Sequence, residues 1–227
     1  MHDGSTERRR WSDYQASRQQ VRSVRAASPP DRRARVTREA AADLVTLVRA
    51  VNRRPLVVGV DGQSGAGKST FARAVVPLLA GAVVVEGDDF YRDMDSRRRA
   101  ALSPADGVQH YFDWQRLRSD VLEPARRGAS TLRYQRYDWV LGAMGGWVEM
   151  PMPDVVIVEG VYTLRPQLLD LVDVAVWVET PEETRLQRQL ERGENTDEWI
   201  ARWRAAEDHY VASCAPRSAA ALRVRGA

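Results

Sequence analysis

Lys68 is the single lysine in a chain whose lysines and arginines together number 34. It lies in Gly62-Gln63-Ser64-Gly65-Ala66-Gly67-Lys68-Ser69, which fits the spacing G-x-x-x-x-G-K-[ST] of a phosphate-binding loop. Elsewhere this sequence uses arginine for every fixed cation. At position 68 a compact ammonium on a flexible stem can reach between β- and γ-phosphates, where a planar guanidinium is a bulkier fork. The glycines permit positive φ and close backbone approach. Backbone N–H groups from Gly62 and Ser64 through Gly65, Ala66, Gly67, Lys68, Ser69 and Thr70 can then face an anion at a helix N-terminus. The expected ligand is a nucleoside triphosphate.

Three carboxylates complete the chemistry that the loop implies. Glu159 ends the apolar run Val155–Val158. An acid there can hold a water of Mg²⁺ while the Ser69 hydroxyl ligates the ion directly. Asp88 and Asp89 follow the apolar run 82–85, where a base can take the proton of an attacking hydroxyl. Asp88 is assigned that role, and Asp89 is expected to cap a following helix. No Asn-Lys-x-Asp guanine motif exists, since the one lysine is used elsewhere. No apolar strand ends in the paired Asp-Glu of motor ATPases.

These residues need strands and helices to position them. Leu56–Asp61, Ala82–Glu86, Val155–Glu159 and Val174–Val178 are short, β-branched and apolar, and read as buried strands. Ala221–Val224 reads as a last strand, and Thr131–Tyr137 as a strand or extended loop. Helical spacing predicts helices over 36–51, from Ser69 to about Leu79, over 115–126, 181–192 and 196–211. Residues 92–115 read as irregular or partly helical, and Gly142, Gly145 and Gly146 as a turn. The stripe Trp199, Trp203, Ala206, Tyr210 reads as core. Strands alternating with helices predict an α/β fold of the P-loop NTPase type: three layers, with a mainly parallel sheet.

Charge divides the chain. Residues 1–54 carry 13 Arg against six Asp and Glu, a balance of +7; the whole chain is +3, so the remainder is −4. Residues 1–35 are rich in Arg, Ser and Gln and read as a disordered basic extension to a domain over 36–227. A basic arm that binds nucleic acid is the competing reading from another class. No apolar run approaches a membrane span, no secretory h-region is present, and Cys214 stands alone, so a cytoplasmic protein without a membrane partner is expected. Its oligomeric state is left open, a homo-oligomer included.

The ordered blocks 59–70, Asp88-Asp89-Phe90-Tyr91-Arg92, Tyr111-Phe112-Asp113-Trp114, Tyr137-Asp138-Trp139, 156–162 and Thr184-Arg185-Leu186-Gln187-Arg188 resemble the uridine kinase and phosphoribulokinase group of phosphate-loop kinases. The resemblance spans about Leu56 to Val224. It implies ATP and Mg²⁺ as cofactors and a small-molecule hydroxyl acceptor. It also implies Asp88 as base, Asp113 on sugar hydroxyls, and Tyr137, Asp138 and Trp139 in a nucleoside pocket that Tyr91 adjoins. A lid over about 185–196 would bring Arg185, Arg188 and Arg192 onto the triphosphate. With Lys68, Arg188 and Arg192 are the expected stabilisers of transition-state charge. The sequence departs from the group after Trp139, where Val140–Gly145 stands in place of a base-contacting His and Arg. His110 could replace that His, and Arg133 or Arg136 could hold an acidic acceptor. Arg97–Arg99 reads as a solvated charge run. The leading expectation is phosphorylation of a nucleoside or similar metabolite, with a sugar, vitamin or antibiotic-like alcohol as the alternative acceptor.

Overall fold

The computed structural model describes residues 32–193 and 195–226. The proposed extension therefore lies almost wholly outside the described residues, as does Glu194 at the lid tip. The first helix, α1 (Arg32–Ala50), starts four residues before Val36. The order then runs β1 (Leu56–Asp61), α2 (Lys68–Val75), β2 (Ala82–Glu86), α3 (Ser96–Ala100), α4 (Pro104–His110) and α5 (Trp114–Leu117). A π-helical turn (Arg118–Leu122) joins α5 to α6 (Glu123–Arg127), so the helix expected over 115–126 is continuous but locally underwound. There follow β3 (Thr131–Asp138), β4 (Ala143–Pro151), β5 (Val155–Glu159), α7 (Pro166–Leu169), β6 (Val174–Glu179), α8 (Glu182–Arg192), α9 (Asp197–Cys214), α10 (Pro216–Ala219) and β7 (Leu222–Arg225).

Five strands form one sheet in the order β2-β5-β1-β6-β7, every neighbouring pair parallel. β1 is central, and all six of its residues are buried. The two-residue alternation of a strand sends its side chains into two different cores. Leu56, Val58 and Val60 meet Leu44, Val48, Phe71 and Val75 from α1 and α2. Val57 joins Val156 and Val158 against Leu117, Val121 and Leu122 on the opposite face. The result is the expected three-layer arrangement, and the carboxyl ends of β1, β2 and β5 share one edge, where open α/β sheets bind ligands.

One expectation needs correcting. Gly145 and Gly146 are not in a turn but within β4, which pairs antiparallel with β3 as a separate hairpin. The reversal falls at 139–142, with Gly142 at φ 65°. Gly145 is needed for space: at the register shift in β3, an added Cβ would lie 2.8 Å from Cβ of Asp138. Glycines that admit a neighbouring strand and glycines that make a turn look alike in sequence.

Asp61 ties the sheet to the last long helix. Its fully buried carboxylate accepts from the N–H groups of Gly62 (2.6 Å), Tyr162 (3.2 Å) and Leu164 (2.8 Å) and from the Tyr210 hydroxyl (2.6 Å). Burial pushes its pKa up; the Tyr210 hydroxyl, the N–H groups of Leu164 and Gly62, and Lys68 oppose that. Asp61→Asn turns an NH₂ against donors and should destabilise the fold by about 2–4 kcal/mol. Tyr210→Phe should lose about 1–2 kcal/mol. Because both act on one carboxylate, the double variant should lose less than the sum in urea unfolding; additive losses would separate Tyr210 from the Asp61 cluster.

Candidate active site

The phosphate loop turns sharply between β1 and α2. Gly65 sits at φ 78°, and a Cβ there would lie 2.7 Å from the carbonyl oxygen of Arg185. No other residue type combines that conformation with that contact. Three successive loop carbonyls accept hydrogen bonds from outside the loop. Gln189 Nε2 donates to Ser64 O (3.2 Å), Arg188 Nη1 to Gly65 O (2.9 Å) and Thr180 Oγ1 to Ala66 O (2.9 Å). A peptide whose carbonyl is held outward presents its N–H on the opposite side. Lys68 Nζ rests on the carbonyls of Gly62 (2.8 Å) and Gln63 (3.4 Å). The first-turn N–H groups of α2 lack intrahelical acceptors and give this cradle its positive end.

Beside the loop, the Ser69 hydroxyl adjoins Glu159 and favours its charged form. Glu159 is buried, and its pKa is pushed up to about 7, first by desolvation, with Lys68 opposing and Asp88 and Glu86 reinforcing the rise. A carboxylate at the edge of ionisation next to a hydroxyl, among further acids, fits a hard divalent cation with oxygen ligands. Ser69 and Glu159 are the residues that would hold it.

Past β2 a 3₁₀ turn (Gly87–Phe90) carries both aspartates. Asp88 is exposed, close enough to Glu159 to raise its pKa. Asp89 caps no helix: it is buried and accepts from Arg136 Nε (3.1 Å) and the Tyr134 hydroxyl (3.4 Å). Arg136 is thereby engaged by the protein's own carboxylate. Asp113 caps α5 through Arg116 N (3.2 Å) and meets Arg92 Nη2 at 3.4 Å. Asp138 accepts from Val140 N (2.8 Å) and Leu141 N (3.0 Å), holding the hairpin turn. Tyr91, Tyr137 and Trp139 do come together, with ring centroids 4.4–5.2 Å apart. His110 is exposed at the end of α4. Arg133 pairs with Glu149 at 3.1 Å. On α8, Arg188 reaches the loop, Arg192 is exposed, and Arg185 is buried, donating to Thr180 O (3.2 Å).

Two residues at this site were not singled out from sequence. Arg99, placed in a solvated run, lies 4.5 Å over the Tyr91 ring and donates to Arg92 O (2.8 Å). Glu207 on α9 is fully buried and accepts from Ser64 N (3.0 and 3.2 Å to its two oxygens) and from the Ser64 hydroxyl. The signal for Glu207 was its place four residues after Trp203 and three before Tyr210, on the buried stripe, where an acid requires partners.

A parallel sheet with a phosphate loop after its central strand, and acids at the neighbouring strand ends, defines a phosphate-loop nucleotide-binding fold with a kinase-type site. Residues 57–223 match the model of the phosphoribulokinase / uridine kinase family, and the chain belongs to that family. It is similar to the uridine kinase of Leuconostoc citreum, 30% identical over 174 residues covering 72% of this chain and 79% of that one. It is also similar to the uridine kinase of Lactiplantibacillus plantarum, 31% identical over 169 residues, 68% of this chain and 78% of that one. A Bacillus stearothermophilus structure described as a possible uridine kinase shares the fold at TM-score 0.65 and 21% identity, covering 82% of this chain and 98% of that one. The chain is accordingly an ATP-dependent small-molecule kinase. No helix among the described residues is long and apolar enough to cross a membrane.

The raised pKa of Glu159 has a measurable consequence. The carboxyl stays protonated in the folded protein up to about pH 7, whereas in the unfolded chain it ionises from 4.5. The unfolded state therefore loses its proton first, and stability falls as pH rises between these values, by about 3 kcal/mol in all. In metal-free urea unfolding, Glu159→Gln should flatten this loss and be the more stable protein at pH 8. Parallel pH profiles for the two proteins would contradict the assignment.

Proposed function

We propose that the protein transfers the γ-phosphoryl group of ATP, with Mg²⁺, to a hydroxyl of a nucleoside of the uridine or cytidine type. The observation that carries this reading is the meeting of three features at one sheet edge. They are the loop with Lys68, the Ser69–Glu159 corner, and the Asp88 turn beside the Tyr91, Tyr137 and Trp139 rings. Lys68 and the loop N–H groups hold the β- and γ-phosphates. Bound Mg²⁺ would neutralise phosphate charge. Asp88 takes the proton of the acceptor hydroxyl as its oxygen bonds to the γ-phosphorus, the bond to the bridging oxygen breaks, and ADP leaves. Asp113 offers a carboxylate toward sugar hydroxyls, and Tyr137, Asp138 and Trp139 help form the pocket, where aromatic faces can stack on a base. Arg188 and Arg192 counter the charge that develops on transfer.

One observation favours a non-nucleoside alcohol as the second reading. Arg99 covers the face of Tyr91, where a base would stack, and is held there by its hydrogen bond to Arg92 O. A small polar acceptor needs no stacking face and could bind without displacing that guanidinium.

Incubation with ATP and Mg²⁺ against nucleosides, sugars and vitamin alcohols, with mass detection of the product, tests both. A phosphorylated pyrimidine nucleoside supports the first, and a product only from another alcohol supports the second. Asp88→Asn should keep ATP affinity and lose about 10²–10⁴-fold in turnover. Unchanged turnover in that variant would remove Asp88 as the base.

A further inference from the structure

The buried acid on α9 is unexpected beside a site for a triphosphate. Glu207 accepts from both the N–H and the hydroxyl of Ser64, and its nearest cation is Arg185, with Nη1 3.9 Å from Oε2. Both side chains are almost completely buried. The neighbouring residue repeats the tether: Asp208 accepts from Gln63 Nε2 at 2.8 Å. Helix α9 thus grips the front half of the loop by its donors, while α8 and Thr180 grip the carbonyls of Ser64, Gly65 and Ala66.

We infer that Glu207 is a positioning residue for the phosphate loop, and that the charge of Arg185 serves Glu207 rather than a phosphate. The inference rests on the triphosphate reading of the loop. Ser64 carries two donors that would be buried without acceptors if Glu207 were absent, and a loop free to turn them inward would lose its shape. A carboxylate meets both at once, because each oxygen can accept more than one hydrogen bond. Its negative charge would repel a triphosphate. Arg185, the buried residue of α8 that donates to Thr180 O, offsets that charge. Lys68 feels the same carboxylate, so the acid also draws on the cation that the phosphates need.

The two roles open to Arg185 give opposite results in a double-mutant cycle. ATP affinity is measured by titration calorimetry on the full chain for wild type, Glu207→Gln, Arg185→Ala and the double variant, with thermal melts as the folding control. An amide offers one acceptor oxygen to two Ser64 donors, so Glu207→Gln should weaken ATP binding about tenfold. Arg185→Ala leaves a buried carboxylate uncompensated and should weaken binding by a similar factor. In the Glu207→Gln background that charge is gone, and Arg185→Ala should then change affinity by less than about twofold. Losses that multiply would place Arg185 on the phosphates and overturn the inference, as would Glu207→Gln binding ATP like wild type.

Should the Glu207 variants fail to fold, Ser64→Ala removes one donor and leaves the acid in place. It should weaken ATP binding about threefold or more; an unchanged affinity would overturn the inference. In turnover, Glu207→Gln should raise KM for ATP and leave KM for the acceptor unchanged, whereas a general loosening would raise both. Absence of ATP binding by wild type would overturn the kinase reading and this inference together. Wild-type binding with indifferent variants would overturn this inference alone.

Discussion

A loop that binds phosphate through backbone N–H groups cannot hold its own shape. Its ligands are peptide units, its residues are small, and glycine at 65 adds conformational freedom where the chain can least use it. Order must come from outside. In this structure it comes from the residue just past β6 and from α8 and α9, through Thr180, Arg188, Gln189, Glu207 and Asp208. The parallel sheet places the loop at its central strand, and Thr180, α8 and α9 send polar side chains to it. The fold beyond β5 serves the loop as much as it encloses a core.

The same requirement explains why so many charges here are buried in pairs. Asp61 anchors the start of the loop to α9 through Tyr210; Glu207 anchors its middle to the same helix. An isolated buried carboxylate would be strongly unfavourable, but one that accepts two to four hydrogen bonds becomes a rigid joint. Glu159 is the exception. The groups that favour its charge are a neighbouring hydroxyl and Lys68, whose ammonium rests on the loop carbonyls rather than on the acid. The acids that hold structure have their donors within the protein. The acid that would meet a metal is left undersupplied.

The strands and most helices were legible because their apolar spacing is strong and local. Leu56–Asp61 and Ala82–Glu86 fall on the residues expected. So did the loop, since its chemistry lies within eight consecutive residues. What was not legible depends on partners distant in sequence. Asp89 looked like a cap, and it faces Arg136, 47 residues on. Glu207 drew no reading from the sequence, and its partner Ser64 lies 143 residues back. Arg99 stood in a run of three arginines, and only the fold shows that it alone lies over Tyr91. Gly145 looked like a turn and proves to be the narrow point of a hairpin.

The acceptor side follows a different logic from the nucleotide side. Around the loop, side chains fix the backbone so that the backbone can bind. Around Tyr91, side chains bind one another: Asp113 and Asp138 cap local turns, Asp89 engages Arg136, and Arg99 lies on the ring. A ligand entering there must exchange these contacts for its own. It therefore gains only the difference between the two sets, and selectivity rests on which acceptor replaces them best. A phosphate cradle can be shared across a family because its geometry is that of the peptide. A pocket built from exchangeable side-chain pairs can diverge residue by residue, and on the proposed reading the stretch 140–145 beside these rings is where this chain leaves the uridine kinase resemblance while the loop keeps it.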